Sequence, residues 1–92
     1  MSKNFNEIRM EIDDLDKRIK ELFLMRMSLS KDVAEYKHSN NLPIEDMIRE
    51  NEIILKNSSN IDPDLKKYYI DFCRDIFFLS KKYQNEIISS KR

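Results

Sequence analysis

Apolar residues at heptad spacing run through the N-terminal part of this chain. Phe5, Ile8, Ile12, Leu15, Ile19 and Leu22, then Leu29, Val33 and Tyr36, follow steps of three and four, broken once by a step of seven. That period draws a stripe along one side of a helix, as in helices that pack on other helices. The long step skips position 26. Arg26 stands there, so an arginine is expected to point into the seam.

The rest of the chain is built for helices too. There is no glycine, which excludes a glycine-rich phosphate loop and argues against an all-β fold of tight turns. The two prolines, Pro43 and Pro63, each follow a polar stretch: His38 to Asn41, and Lys56 to Asn60. Asp62 before Pro63 reads as an N-cap followed by proline at the first helical position. The segments between the breaks are rich in helix formers. The expectation is an all-α chain with helices over residues 5–38, 44–56 and 63–89, and a frayed tail from Ser89 to Arg92. The third helix carries a broad stripe of Leu65, Tyr69, Phe72, Ile76, Leu79, Tyr83 and Ile87, with Cys73, Phe77 and Ser80 beside it.

Length then bears on assembly. A helix over residues 5–38 spans about 51 Å. A compact globule of this size has a radius of gyration of about 12 Å and a diameter of about 32 Å. The first helix must project beyond such a globule with its apolar stripe still attached. A second copy is the simplest cover, so an intertwined homodimer is expected, with residues 1–92 forming one domain.

Charge and cysteine content narrow the function. Lys plus Arg and Asp plus Glu both number 17, so no surplus positive charge exists to displace counterions from nucleic acid. The single cysteine, Cys73, excludes an intrachain disulfide and a multi-cysteine metal site, and fits a reducing compartment. No apolar run approaches the ~20 residues of a membrane span. Residues 1–14 lack the basic-then-apolar order of a secretory signal. A cytoplasmic protein without membrane or nucleic-acid partners is expected.

Several polar residues fit a plain bundle poorly. A desolvated guanidinium costs several kcal/mol unless paired, whereas a leucine at position 26 would contribute about 1.5–3 kcal/mol. A carboxylate ligand held by the guanidinium fork would offset that difference, as would snorkelling to solvent or a neighbouring acid. Lys37 follows Arg26 by eleven residues, on nearly the same helix face and about 16 Å along the axis. Arg9 lies about 25 Å from Arg26 and about 100° around the helix, so it reaches such a site only from another chain. Asp46, Arg49 and Glu50 share a face of the second helix, and Ser80 and Gln84 share one on the third. Taken singly, each has an ordinary explanation as a solvated or boundary residue. Together they describe a cavity for a small dianion, with no nucleophile–base pair. His38 falls in the first break, and Asp13, Asp14 and Asp16 read as a solvent face of the first helix rather than a metal site.

These residues carry a resemblance. Ile8-Arg9-x2-Ile12-Asp13-x-Leu15-Asp16, then Arg26 and Lys37, Pro43-Ile44-x-Asp46-x2-Arg49-Glu50 and Ser80-x3-Gln84 make the chain similar to the all-helical class of chorismate mutases over residues 5–88. The resemblance implies an intertwined three-helix homodimer and a cofactor-free, metal-free isomerase. Its reaction is the concerted [3,3] rearrangement of chorismate to prephenate, the step toward phenylalanine and tyrosine. It implies that Arg26 and an Arg9 supplied in trans bind the two carboxylates, and that Lys37 and Gln84 donate to the ether oxygen. It further implies that Glu50 with the Asp46 region holds the ring hydroxyl, that Ser80 assists at a carboxylate, and that Arg49 organises Glu50 or bridges through water. Two departures stand out. Relatives often carry a glycine shortly before the Pro-Ile pair, where this chain has Asn40 and Asn41, and asparagine tolerates the left-handed turn. Some relatives have glutamate at the Gln84 position and prefer acid; Gln84 carries no such requirement. A stand-alone chain without a fused dehydratase, dehydrogenase, synthase or regulatory domain is expected. Two other readings share the same features: an isochorismate pyruvate lyase on this scaffold, and a coiled-coil dimerisation module without chemistry.

Overall fold

The computed structural model describes residues 2–91 of the chain. It contains three helices: α1 over Phe5–Ser39, α2 over Met47–Ser58 and α3 over Pro63–Ser90. No strand occurs among the described residues. Nor is any helix among them long and apolar enough to cross a membrane.

Local chemistry sets each boundary. Asn4 caps α1 by accepting from the Glu7 amide at 2.9 Å, while its own amide donates to the Glu7 carboxylate at 3.1 Å. At the other end Leu42 N–H donates to the Lys37 carbonyl at 2.8 Å, and Asn41 N–H to that of His38 at 3.3 Å. That is the Schellman pattern, and Asn41 takes its left-handed position with φ of 55°. The turn therefore closes on asparagine instead of glycine.

The second helix begins at Met47, later than the expected residue 44. Asp46 explains the delay. Its backbone is non-helical, and its side chain accepts from the Arg49 amide at 3.0 Å, which makes it the cap. The helix also runs on to Ser58, beyond the expected 56, because Ser58 is buried and turns its hydroxyl back to the Ile54 carbonyl at 2.6 Å. Asp62 caps α3, accepting from the Asp64 amide at 3.0 Å, with Pro63 in the first turn. This helix runs to Ser90, one residue beyond the expected 89; Arg92 lies outside the described residues.

Packing runs through α3, which touches both α1 and α2, while α1 and α2 do not pack on each other. The face that α3 buries within the chain is Cys73, Phe77, Ser80 and Gln84. This corrects the expected stripe, since Leu65, Phe72 and Leu79 remain exposed. Among the described residues, the buried apolar side chains are Ala34, Cys73 and Phe77. Every member of the α1 seam, from Phe5 to Tyr36, is exposed. The molecule measures 57 × 26 × 13 Å, with a radius of gyration of 16.9 Å, well beyond the compact expectation.

Candidate functional site

A cleft of about 430 Å³ is lined by residues from all three helices. Arg26, Ser30, Val33 and Lys37 reach it from α1, at spacings that keep them on one helix face. The connection and α2 supply Ile44, Asp46, Arg49, Glu50 and Ile53, and α3 supplies Phe77, Ser80, Lys81 and Gln84. Apolar side chains, Leu29, Val33, Ile44, Ile53 and Phe77, share the walls with converging polar groups, as in sites for small molecules.

Four cationic side chains, Arg26, Lys37, Arg49 and Lys81, face two carboxylates, Asp46 and Glu50. Lys81 lies 3.1 Å from Glu50 Oε2 and 2.9 Å from Glu45 Oε1. Its hydrogen bond to Glu45 raises its pKa above the ordinary 10.5 against the opposing effect of burial, and Glu50 adds to the rise. Among the described residues, Arg26, Lys37 and Arg49 form no ion pair. The Arg26 guanidinium rests 5.7 Å from the centre of the Phe77 ring, and Lys37 Nζ donates to the Ile44 carbonyl at 2.8 Å. Positive charge is thus in surplus inside a concave, half-buried space, which suits a small dianion.

Neutral groups form the floor. Ser30 Oγ and Ser80 Oγ are 2.6 Å apart, and Gln84 Nε2 donates to Ser80 Oγ at 3.1 Å. All three residues are buried, yet Gln84 Oε1 has no hydrogen-bond partner. A buried acceptor left open is costly and marks a position for a ligand donor or a reoriented amide.

The predicted site residues Arg26, Lys37, Asp46, Arg49, Glu50, Ser80 and Gln84 all line this one cleft. Asp46 does so from the N-cap instead of from within the second helix. Arg9 does not. It lies toward the N-terminus of α1 in a shallow hollow with Phe5, Ile8, Ile12 and Asp13, its guanidinium 4.6 Å from the Phe5 ring centre. Ser30 and Lys81 were not anticipated. Ser30 had a usable signal, four residues after Arg26 and seven before Lys37. Lys81 had none, because both its partners are distant in sequence. Cys73 is a buried free thiol; its hydrogen bond with Tyr69 is the first cause of that phenol's raised pKa, and neither residue lines the cleft. Among the described residues, no group of three or more His, Cys, Asp or Glu is placed to hold a metal.

Comparison with known proteins gives a consistent picture. The sequence model of the family described as chorismate mutase type II matches residues 8–85. A chorismate mutase of Methanocaldococcus jannaschii is 45% identical over 53 residues, which are 58% of this chain and 54% of that protein. The T-protein of Haemophilus influenzae is 30% identical over 82 residues, 87% of this chain and 21% of that protein. The matched stretches therefore span about half the length of the first relative and about a fifth of the second. No solved structure gives a significant match.

Proposed function

The chain belongs to the type II chorismate mutase family, and we propose that it rearranges chorismate to prephenate, on the route to phenylalanine and tyrosine. The observation that carries this reading is the convergence of Arg26, Lys37, Asp46, Arg49, Glu50, Ser80 and Gln84 on one cleft.

The reaction is unimolecular: a C–O bond breaks as a C–C bond forms. It needs neither nucleophile nor base. Two effects remain available. Cations that grip both carboxylates hold the flexible side chain over the ring in the reactive conformer. Donors aimed at the ether oxygen stabilise the negative charge that grows there as the C–O bond opens. A millionfold acceleration asks about 8 kcal/mol of the two together. In this proposal Arg26 takes one carboxylate, Lys37 and Gln84 donate to the ether oxygen, and Glu50 with the Asp46 region holds the ring hydroxyl. Ser80 assists at a carboxylate, and Arg49 steadies Glu50. The open acceptor on Gln84 supports the donor role. A half-turn of the amide lets Ser80 donate to Oε1 and presents the NH2 group to the cleft.

The second carboxylate is assigned to Arg9 of a second copy, in an intertwined homodimer with two shared sites. Arg9 is too far along α1 to serve its own cleft, about 25 Å from Arg26. The exposed surface supports a partner as well. It amounts to 7888 Å², against roughly 5,700 Å² for a compact monomer of this mass. The excess exceeds what a standard interface needs from one partner, about 800 Å². We further propose that residues 1–92 act as one domain in the cytoplasm, which suits a buried cysteine kept as a free thiol.

The deciding experiment is incubation of the purified protein with chorismate, with the product identified. Prephenate formed in proportion to enzyme, and lost in Arg26→Ala, is the expected outcome. A folded protein that leaves chorismate untouched but releases pyruvate from isochorismate would replace the mutase with the lyase. Inactivity toward both would leave a dimerisation module.

A further inference from the structure

The segment between α1 and α2 has no regular secondary structure over residues 42–46, yet lysines hold it from two sides. From α1, Lys37 Nζ donates to the Ile44 carbonyl at 2.8 Å. From α3, Lys81 Nζ donates to Glu45 Oε1 at 2.9 Å and also meets Glu50 on α2. Ile44 and Glu45 are adjacent, so consecutive residues are gripped from different helices. Lys37, Ile44 and Lys81 line both the cleft and a neighbouring cavity of about 460 Å³ that takes in His38, Pro43 and Asn85. These three side chains form the wall between the two spaces.

We propose that Lys81 is a positioning residue: through Glu45 it straps the connection across the cleft, and through Ile44 that strap aims the Lys37 ammonium. An ammonium has three donors. Giving one to the Ile44 carbonyl fixes where the other two point. That carbonyl is only as steady as the connection carrying it, and α1 and α2 do not pack on each other to steady it. Lys81 supplies the missing tie. Its contact with Glu50 fixes the ammonium at the mouth of the cleft, and its contact with Glu45 passes that fixity to the connection. The partly buried pair with Glu50 anchors the strap, whereas the more exposed pair with Glu45 is open to screening by salt.

The strap is a property of the free protein, and only its effect on turnover rests on the mutase reading. The test uses the full chain and two variants, Glu45→Gln and Lys81→Met, with helix content checked by circular dichroism. Glu45 is exposed, so its variant keeps the fold. Without ligand, exchange of the Leu42, Arg49 and Glu50 amides, which are bonded at either end of the connection, should quicken about threefold in Glu45→Gln and about tenfold in Lys81→Met. Added salt should move the wild type toward Glu45→Gln. The Lys37 ammonium, followed by NMR, should lose order in both variants. With chorismate, kcat should fall about threefold in Glu45→Gln while KM stays within about twofold. Unchanged amide exchange and salt response would overturn the strap. Faster exchange with an equally ordered Lys37 ammonium would overturn the aiming. A wild type inactive toward chorismate would refute the function alone, because exchange and ammonium order still decide the strap and the aiming.

Discussion

Gln84 donates to the Ser80 hydroxyl at 3.1 Å while its own carbonyl oxygen, buried beside the cleft, accepts from nothing. The amide is held at one end and open at the other. Its proposed task is to donate, which a glutamate performs only when protonated.

Gln84→Glu should therefore make the enzyme prefer acid. Burial raises a carboxyl's pKa, but an ionised fraction near neutrality repels a developing anion. Turnover at about pH 7 should fall at least tenfold and recover toward about pH 5. A flat pH–rate profile for this variant would remove Gln84 from the ether oxygen.

Lys37→Ala tests the other donor. Charge on the ether oxygen exists mainly in the transition state, so kcat should drop about 10²–10³-fold with a much smaller change in KM. Steady-state kinetics decide it, and a rise in KM with kcat intact would reassign Lys37 to ground-state binding.

Mixing chains tests the shared site. Arg9→Ala and Arg26→Ala should each be nearly inactive alone. Equal amounts, unfolded and refolded together, should regain about a quarter of wild-type activity, because half the dimers are mixed and each holds one intact site. No recovery would sink the assignment of Arg9 to the partner.

Arg26→Leu separates the mutase from a plain dimerisation module. The seam gains an apolar residue, so stability to heat should rise, by about 1 kcal/mol for a half-buried position, while turnover is abolished. Full activity in this variant would mean that the arginine binds nothing.

Lys81 also gives a pH prediction. Its folded pKa is raised above the unfolded value, so its stabilising contribution is complete below about 10.5 and disappears as pH rises through the raised value. The stability gap between wild type and Lys81→Met should stay constant from about pH 7 to about pH 10 and close above that. Denaturant titrations across this range measure it. A gap that closes below about pH 9 would mean that Lys81 is not the titrating group.

The three helices were legible because the signals for them are local. Period, caps and prolines act within a few residues, and α1 and α3 begin where Phe5 and Pro63 predict. The second helix was misplaced because Asp46 could serve either as a helical residue or as its cap, and the sequence does not show which backbone it adopts. The cleft's polar set was legible through helical spacing on all three helices, which the resemblance then drew together. Lys81 was not, since its partners Glu45 and Glu50 are 36 and 31 residues away. The burial of Phe77 instead of Phe72 was likewise hidden, because a broad stripe offers several faces and only the neighbours choose among them.

Ala34, Cys73 and Phe77 are too small an interior to offset the entropy lost in ordering a chain of this length. Whatever covers the exposed seam is then a reactant in folding, not a later addition to a finished subunit. With a second copy in that role, folding becomes a second-order process. The melting temperature would then climb with protein concentration, and dilution alone would act as a denaturant.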